Sequence, residues 1–281
     1  MKIKLIMKLI KFEHTIFALP FAYMGAILAA EGIPSWSKVL WITLAMVGAR
    51  SAAMAWNRLL DWKVDAANPR TESRVLPQNL LSKIEVILFI VFSLALLLVA
   101  AWQLNPLAFK LSPLAVFLLI FYSYTKRFTW LCHLVLGFTL GMAPVGSWVG
   151  VTGEISLAPI LVGIAVMFWV AGFDIIYAIQ DLEFDREHGL YSIPVKFGLE
   201  RSLRITVAFH TITFLLFAFI GKYLTLGWLY AIGIAIVGLL LYKENTLVKS
   251  DFDKVKFAFF NINSIVSITI FIFTLADYLF K

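Results

Sequence analysis

The sequence predicts an all-α membrane protein with nine transmembrane helices, its N terminus inside and its C terminus outside. Three observations carry that expectation. Of the 281 residues, 61% are hydrophobic and 15% charged, where a soluble domain carries about 45–50% apolar and about 25% charged residues. The apolar residues gather in runs near or above about 18 residues, long enough to cross a bilayer core of about 30 Å. The 24 lysines and arginines are spread unevenly over the connections between these runs, as membrane orientation requires.

The spans read, in order, 15–31, 37–57, 84–104, 107–125, 131–151, 157–179, 204–221, 223–242 and 257–279. The first follows the basic start MKIKLIMKLIK, and no small-residue cleavage site comes after it, so it is read as a retained helix rather than a removed leader. Pro34, Pro106, Gly153 and Gly221 punctuate short connections. Trp36, Trp130, Tyr223, Trp228 and Tyr242 lie near span ends, where amphipathic rings anchor at the interface. Spans seven and eight are parted by little more than GKY. With the N terminus inside, the outer side holds only Lys38, Lys110, Lys222 and Lys281, and Arg50 lies within a span. The other lysines and arginines fall inside, which favours this orientation and an odd number of spans.

The same reading excludes other classes. The single cysteine, Cys132, rules out an internal disulfide, and no Cys/His set has zinc-like spacing. The pI of 9.4 reflects inner loops rather than a nucleic-acid partner. The cluster KENTLVKSDFDKVK, 243–256, reads as a solvated inner loop that meets anionic headgroups.

Two inner connections, 58–83 and 180–203, exceed a simple turn, and both are rich in acids. The first begins with a ladder: Asn57, Asp61 and Asp65 recur every four residues and so share one helix face. Asn68-Pro69 disfavours helix at residue 68, so the helix ends near there, about two turns beyond span two. The second ladder is FDIIYAIQDLEFDREHG, 173–189, in which Asp174, Tyr177, Asp181 and Asp185 form one stripe. Like charges four residues apart repel, and carboxylates near a bilayer are costly. A divalent cation relieves both. Magnesium prefers one or two carboxylates, retained water and phosphate oxygens, so two facing ladders suit magnesium ions that hold a diphosphate. One ladder alone reads equally well as a solvated helix end; two on the same side, both beside arginine and lysine, point to a site. The rival from another class is an ion-coupled secondary transporter, because intramembrane acids also mark ion routes. No inverted repeat of the kind such proteins carry is evident.

In these motifs the sequence resembles the UbiA superfamily of intramembrane prenyltransferases. The first family motif, NxxxDxxxD, stands as NRLLDWKVD, 57–65; the second as DIIYAIQDLEFD, 174–185, followed by SIPVKFG, 192–198; and YTKR stands at 124–127. Arg50, seven residues before Asn57, also matches. The resemblance covers nearly the whole chain, so residues 1–281 are read as a single transmembrane prenyltransferase domain. It implies nine helices around a central cavity in the inner (cytoplasmic) membrane, magnesium dependence, and transfer of a polyprenyl group from its diphosphate to an aromatic acceptor. The chain most resembles 4-hydroxybenzoate polyprenyltransferases, including bacterial members tied to menaquinone synthesis; haem O, chlorophyll and naphthoate-type members are the alternatives within the family. It departs from the family near the N terminus, where KFEHTIF, 11–17, replaces R-x-D-K-P-I-G, so the acceptor is less defined than the prenyl chemistry.

On this resemblance Asp61, Asp65, Asp181 and Asp185 are the metal ligands, with Asn57 as a neutral oxygen ligand. Lys126, Arg127, Arg58 and Arg70 reach the diphosphate, and Tyr124 and Ser192 join the substrate-binding set. Asp174 or Tyr177 orients the phenol or takes its proton. Arg50 meets the acceptor's carboxylate or the diphosphate, or else pairs with Asp174. His133, His188 and His210 are read as packing or interface residues. His14 lies in the family's acceptor-binding segment and is either packing or an acceptor contact. A dry, phenylalanine-rich wall would protect an allylic cation from water.

Overall fold

The computed structural model describes residues 2–12, 15–250 and 258–280. His14 and part of the 243–256 cluster therefore lie outside the described residues. Helix α1, Lys2–Leu9, is followed by α2, Thr15–Ala30, then α3, Trp36–Ala67; α4, Lys83–Leu104; α5, Pro106–Thr125; α6, Cys132–Thr152; and α7, Leu157–Ala178. A 3-10 turn, Ile179–Asp181, leads to α8, Leu182–Glu187; then come α9, Ile193–Tyr223; α10, Trp228–Ser250; a π turn, Ala258–Ile262; and α11, Asn263–Leu279. No strand occurs among the described residues.

Local chemistry sets the helix ends. Ser82 and Glu85 form a reciprocal capping box at the start of α4. Asn105 caps α5, whose first residue, Pro106, has no N–H to satisfy. Gly153 ends α6 in the left-handed region, φ 75°. Helix α3 has 32 residues, a length of about 48 Å, so it outruns a bilayer core and carries the first ladder beyond it. It stops at Ala67, with Asn68 extended before Pro69, where the proline was expected to stop it.

Eight segments are long and apolar enough to cross a membrane: those containing α3, α4, α5, α6, α7 with α8, α9, α10 and α11. The expected first span is α2, whose 16 residues rise about 24 Å and fall short of the other eight. Spans seven and eight are two separate helices, as read from the sequence. Helix α9 ends at Tyr223 and α10 begins at Trp228, because Thr225 adopts φ 51° and turns the chain. Helix α9 also starts earlier than expected and breaks at Gly198, φ 75°, so SIPVKFG is a short helical entry to a long span.

The core centres on Phe21, Trp169, Phe173, Phe217, Val266 and Ile270. The Trp169 ring lies 4.9 Å from both Phe21 and Phe173. Its Nε1 donates to Asn263 Oδ1 at 2.9 Å, and Asn263 Nδ2 donates to the fully buried Glu244 at 2.6 Å. Helices α6 and α7 meet backbone to backbone: a Cβ on Gly137 would lie 2.2 Å from Met167 O, and one on Gly141 2.4 Å from Gly163 O. Small residues permit such close approach in membrane bundles. Ile84, Leu88, Val91, Phe92 and Trp102 of α4 are exposed, an outer surface suited to lipid.

Candidate active site

The ends of α3, α5 and α7 come together at one end of the bundle. On α3, Asp61 is buried, yet it accepts from Lys126 Nζ at 2.5 Å and Arg127 Nη2 at 2.7 Å. Both cations follow the last turn of α5. Arg127 is braced by donating to Ser123 O at 2.9 Å and Leu60 O at 3.3 Å. Asn57, one turn before Asp61, donates to Asp61 Oδ2 at 3.2 Å and Ser123 Oγ at 3.4 Å. Tyr124 packs against Trp56, 6.3 Å between ring centroids, with the Arg127 guanidinium 6.0 Å from the Tyr124 ring.

Asp65, one turn farther on, is also buried. Its Oδ1 accepts from Arg74 at 2.6 Å. Its Oδ2 lies 3.9 Å from Arg58 and is buried without a hydrogen bond. Thr71 Oγ1 donates to Asp65 O at 2.9 Å and Arg70 N to Asn68 Oδ1 at 2.9 Å, so the loop after Pro69 folds back over the ladder.

That loop joins the two ladders. Asn68 Nδ2 donates to Asp181 Oδ1 at 2.9 Å, Arg70 Nε donates to the same oxygen at 2.8 Å, and Arg70 Nη2 pairs with Asp181 Oδ2. Arg70 Nη1 also donates to Tyr177 OH at 2.7 Å, and its guanidinium lies 5.0 Å from the Tyr177 ring. Burial acts to lower the Arg70 pKa, but the hydrogen bonds to Asp181 and Tyr177 outweigh it and hold the pKa raised. Arg70 is therefore a permanent cation. Asp185 lies within electrostatic range of Asp181, Lys126 and Arg70, so all four expected acids share this end.

Ser192 is the N-cap of α9, its Oγ accepting from Val195 N at 3.2 Å. Arg50 donates to Lys11 O at 3.4 Å, and Asp174 pairs with His133, Nδ1 to Oδ2 2.7 Å, rather than with Arg50. His133 thus does more than pack. His188 stacks on Phe184, 3.9 Å between centroids, on the exposed surface. Sequence reasoning missed Asn68, Arg74 and Lys11. Lys11 has its pKa lowered, first by burial and then by the nearby Arg58, Arg74 and Arg70, so it faces the same cluster. Its signal was the lysine at the altered N-terminal motif.

Five cations, Arg58, Arg70, Arg74, Lys126 and Arg127, thus surround Asp61, Asp65 and Asp181. With Asp185 counted, five cations stand beside four acids, an excess of positive charge that suits a polyanion. Residues 18–265 match the model of the UbiA prenyltransferase family. The chain belongs to the UbiA prenyltransferase family. It is a prenyl-transferring enzyme built as a multi-pass membrane protein. A 4-hydroxybenzoate octaprenyltransferase of Vibrio campbellii is 32% identical over 248 residues, covering 88% of this chain and 86% of that one. One of Neisseria meningitidis is 29% identical, covering 86% and 81%. Among solved structures, the apo UbiA homolog from Aeropyrum pernix has a TM-score of 0.87 at 36% identity, covering 94% of this chain and 98% of that one. A UbiA homolog from Archaeoglobus fulgidus bound to DMAPP and Mg2+ shares the fold, with a TM-score of 0.74 at 20% identity over 98% and 99%.

The donor set of this UbiA site suits a hard divalent ion in kind: carboxylates, an amide, and one buried oxygen, Asp65 Oδ2, without a hydrogen bond. Among the described residues no three acidic, histidine or cysteine side chains gather closely enough to hold an ion by themselves, because lysine and arginine stand between the acids. An ion here would complete its shell with substrate oxygens or water, as magnesium does.

Proposed function

We propose that this UbiA protein transfers a polyprenyl group from its allylic diphosphate to a small aromatic acceptor of the 4-hydroxybenzoate class, at the cytoplasmic face of the inner membrane. The supporting observation is the meeting of the two acid ladders through Arg70 and Asp181 beneath a cluster of cations. The names of the Vibrio and Neisseria relatives support the acceptor class. The whole chain acts as one domain, α2 serves as the ninth span, and the N terminus lies inside with the C terminus outside.

Asp61, Asp65, Asp181 and Asp185, with Asn57, would hold magnesium, which when bound neutralises the charge that grows on the departing diphosphate. The ion that the Archaeoglobus relative holds with DMAPP supports this choice. Lys126, Arg127, Arg58 and Arg70 turn from their carboxylate partners to the diphosphate oxygens, where preorganised cations favour the charge-separated transition state. Tyr124 and Ser192 fix the loops that carry these groups, and Arg50 meets the far end of the substrates from the deeper part of α3. Asp174 and Tyr177, deeper than Asp181 on the same stripe, orient the phenol and receive its proton.

The deciding experiment supplies purified protein with magnesium, a polyprenyl diphosphate and a mixed pool of aromatic acids, and reads the products by mass spectrometry. A prenylated 4-hydroxybenzoate-class product is expected. No prenylated product from any acceptor, together with ion flux in liposomes, would overturn the reading in favour of a transporter.

A further inference from the structure

The close contact between α6 and α7 ends in a pair of titratable side chains. His133 stands one turn before Gly137, on the face of α6 that touches α7. Only 3% of its side chain is accessible, and its Nδ1 lies 2.7 Å from Asp174 Oδ2. A carboxylate accepts only from an N–H, so the proton sits on Nδ1. The buried Nε2 has no hydrogen-bond partner, and Asp174 holds the ring through Nδ1 with Cys132 beside it.

Asp174 interrupts a buried stretch of α7. Val170, Ala171, Gly172 and Phe173 before it and Ile175 and Ile176 after it are buried, while 25% of the Asp174 side chain is accessible. It lies three residues from Tyr177, whose hydroxyl meets Arg70, and therefore about 4.5 Å deeper along the helix. The Asp174 carboxylate thus sits below the cation cluster. One oxygen is occupied by His133, and the other takes no hydrogen bond among the described residues.

We propose that His133 is a positioning residue for the acceptor, holding Asp174 so that its second oxygen accepts the hydroxyl proton of a phenolic substrate. This rests on the aromatic prenyl-transfer reading and adds to it the group that discriminates acceptors. The allylic C–O bond breaks with its electron pair leaving on the diphosphate. The phenol O–H proton passes to Asp174 as the ring carbon bonds the allylic carbon, giving a cyclohexadienone. The ring C–H proton then goes to the released diphosphate, Asp174 returns its proton to oxygen, and the ring is aromatic again. His133 keeps its proton throughout. Its service is to fix the direction of the carboxylate, and the backbone-level contact of Gly137 and Gly141 with α7 fixes His133 in turn.

The test is a cycle between His133 and the acceptor hydroxyl. In the native enzyme, replacing the acceptor's hydroxyl by a methyl ether is expected to lower kcat/KM by about 100-fold. In His133→Ala that penalty should shrink to about threefold, with the hydroxyl acceptor itself slowed about 30-fold and the KM for the prenyl diphosphate within about twofold of native. His133→Asn, whose amide N–H can stand near the position of Nδ1, should recover most of both the rate and the penalty. If the alanine variant does not fold, His133→Phe fills the same space without a donor and carries the same comparison. An undiminished methylation penalty in the variant overturns the proposal, as does failure of the asparagine variant to recover. Failure of the underlying reading is separate: the native enzyme would then prenylate no aromatic acceptor at all.

Discussion

Arg70 reaches from the loop after α3 to Asp181 below α7 and engages both carboxylate oxygens, Nε to Oδ1 at 2.8 Å. With the Asn68 bond, this forked pair ties the loop after the first ladder to the second, and a point charge cannot reproduce its geometry. Arg70→Lys should therefore lower kcat/KM for the prenyl diphosphate almost as much as Arg70→Ala, by about 100-fold each. Kinetics at saturating acceptor checks it; a lysine variant with native rates would show that only charge matters there.

Asp61 holds Lys126 and Arg127 together and is itself almost wholly buried. Asp61→Asn removes the charge and leaves both cations crowded. Partial exposure of the two cations tempers the cost, so a loss of about 1–3 kcal/mol is expected, with activity down by about 100-fold or more. Adding Lys126→Met should return part of the stability and none of the activity. Thermal unfolding in detergent and a product assay read the two effects apart.

Chelation should abolish turnover, and magnesium should restore it. Magnesium with a non-reactive allylic diphosphate analogue should also raise the melting temperature, since ligand at about 100 times its Kd adds about 2.7 kcal/mol to the native state. Asp65→Asn removes the acid whose Oδ2 lacks a hydrogen bond and should lose most of that metal-dependent shift. A full shift in the variant would remove Asp65 from the ligand set.

Much of this site is legible in the residue order alone, because a four-residue recurrence is local: the spacing of Asn57, Asp61 and Asp65 puts them on one face wherever the helix lies. The stop at Asn68-Pro69 is legible for the same reason. The pairings are not. Arg74 reaches Asp65 only because the loop after Pro69 folds back, and Asn68 finds Asp181 across 113 positions. His133 and Asp174 meet because glycines let two helices touch, which no spacing in either segment announces. The fold class and the bounds of α2 both follow from apolar length, since Glu31 and Gly32 end the apolar run where the helix stops at Ala30.

Asn263 bridges Trp169 and Glu244 in the middle of the bundle, far from the cation cluster in sequence and in partners. Asn263→Leu keeps the volume and orphans both. Each buried polar group left without its partner costs about 1–3 kcal/mol, so the variant should unfold at a clearly lower temperature. The KM for the prenyl diphosphate should stay native in the fraction that folds. Unchanged thermal stability would mean that water or another side chain takes over both bonds.

Gly137 and Gly146 lie on the same helix and give opposite predictions. A methyl at Gly137 would fall 2.2 Å from Met167 O, whereas nothing lies within 4 Å of one at Gly146. Gly146→Ala should be neutral or stabilising by about 0.5–1 kcal/mol, the ordinary gain of alanine over glycine in a helix. Gly137→Ala must push α6 from α7 at the level of the backbone, with an overpacking cost of about 1–3 kcal/mol. Because His133 stands one turn away, the displacement should also slow acceptor turnover while sparing diphosphate affinity. Melting temperatures of the two alanine variants, side by side, measure the first effect, and their acceptor kinetics the second. Equal stability in the pair would mean that the helices do not meet at Gly137, and the support for the His133–Asp174 geometry would go with it.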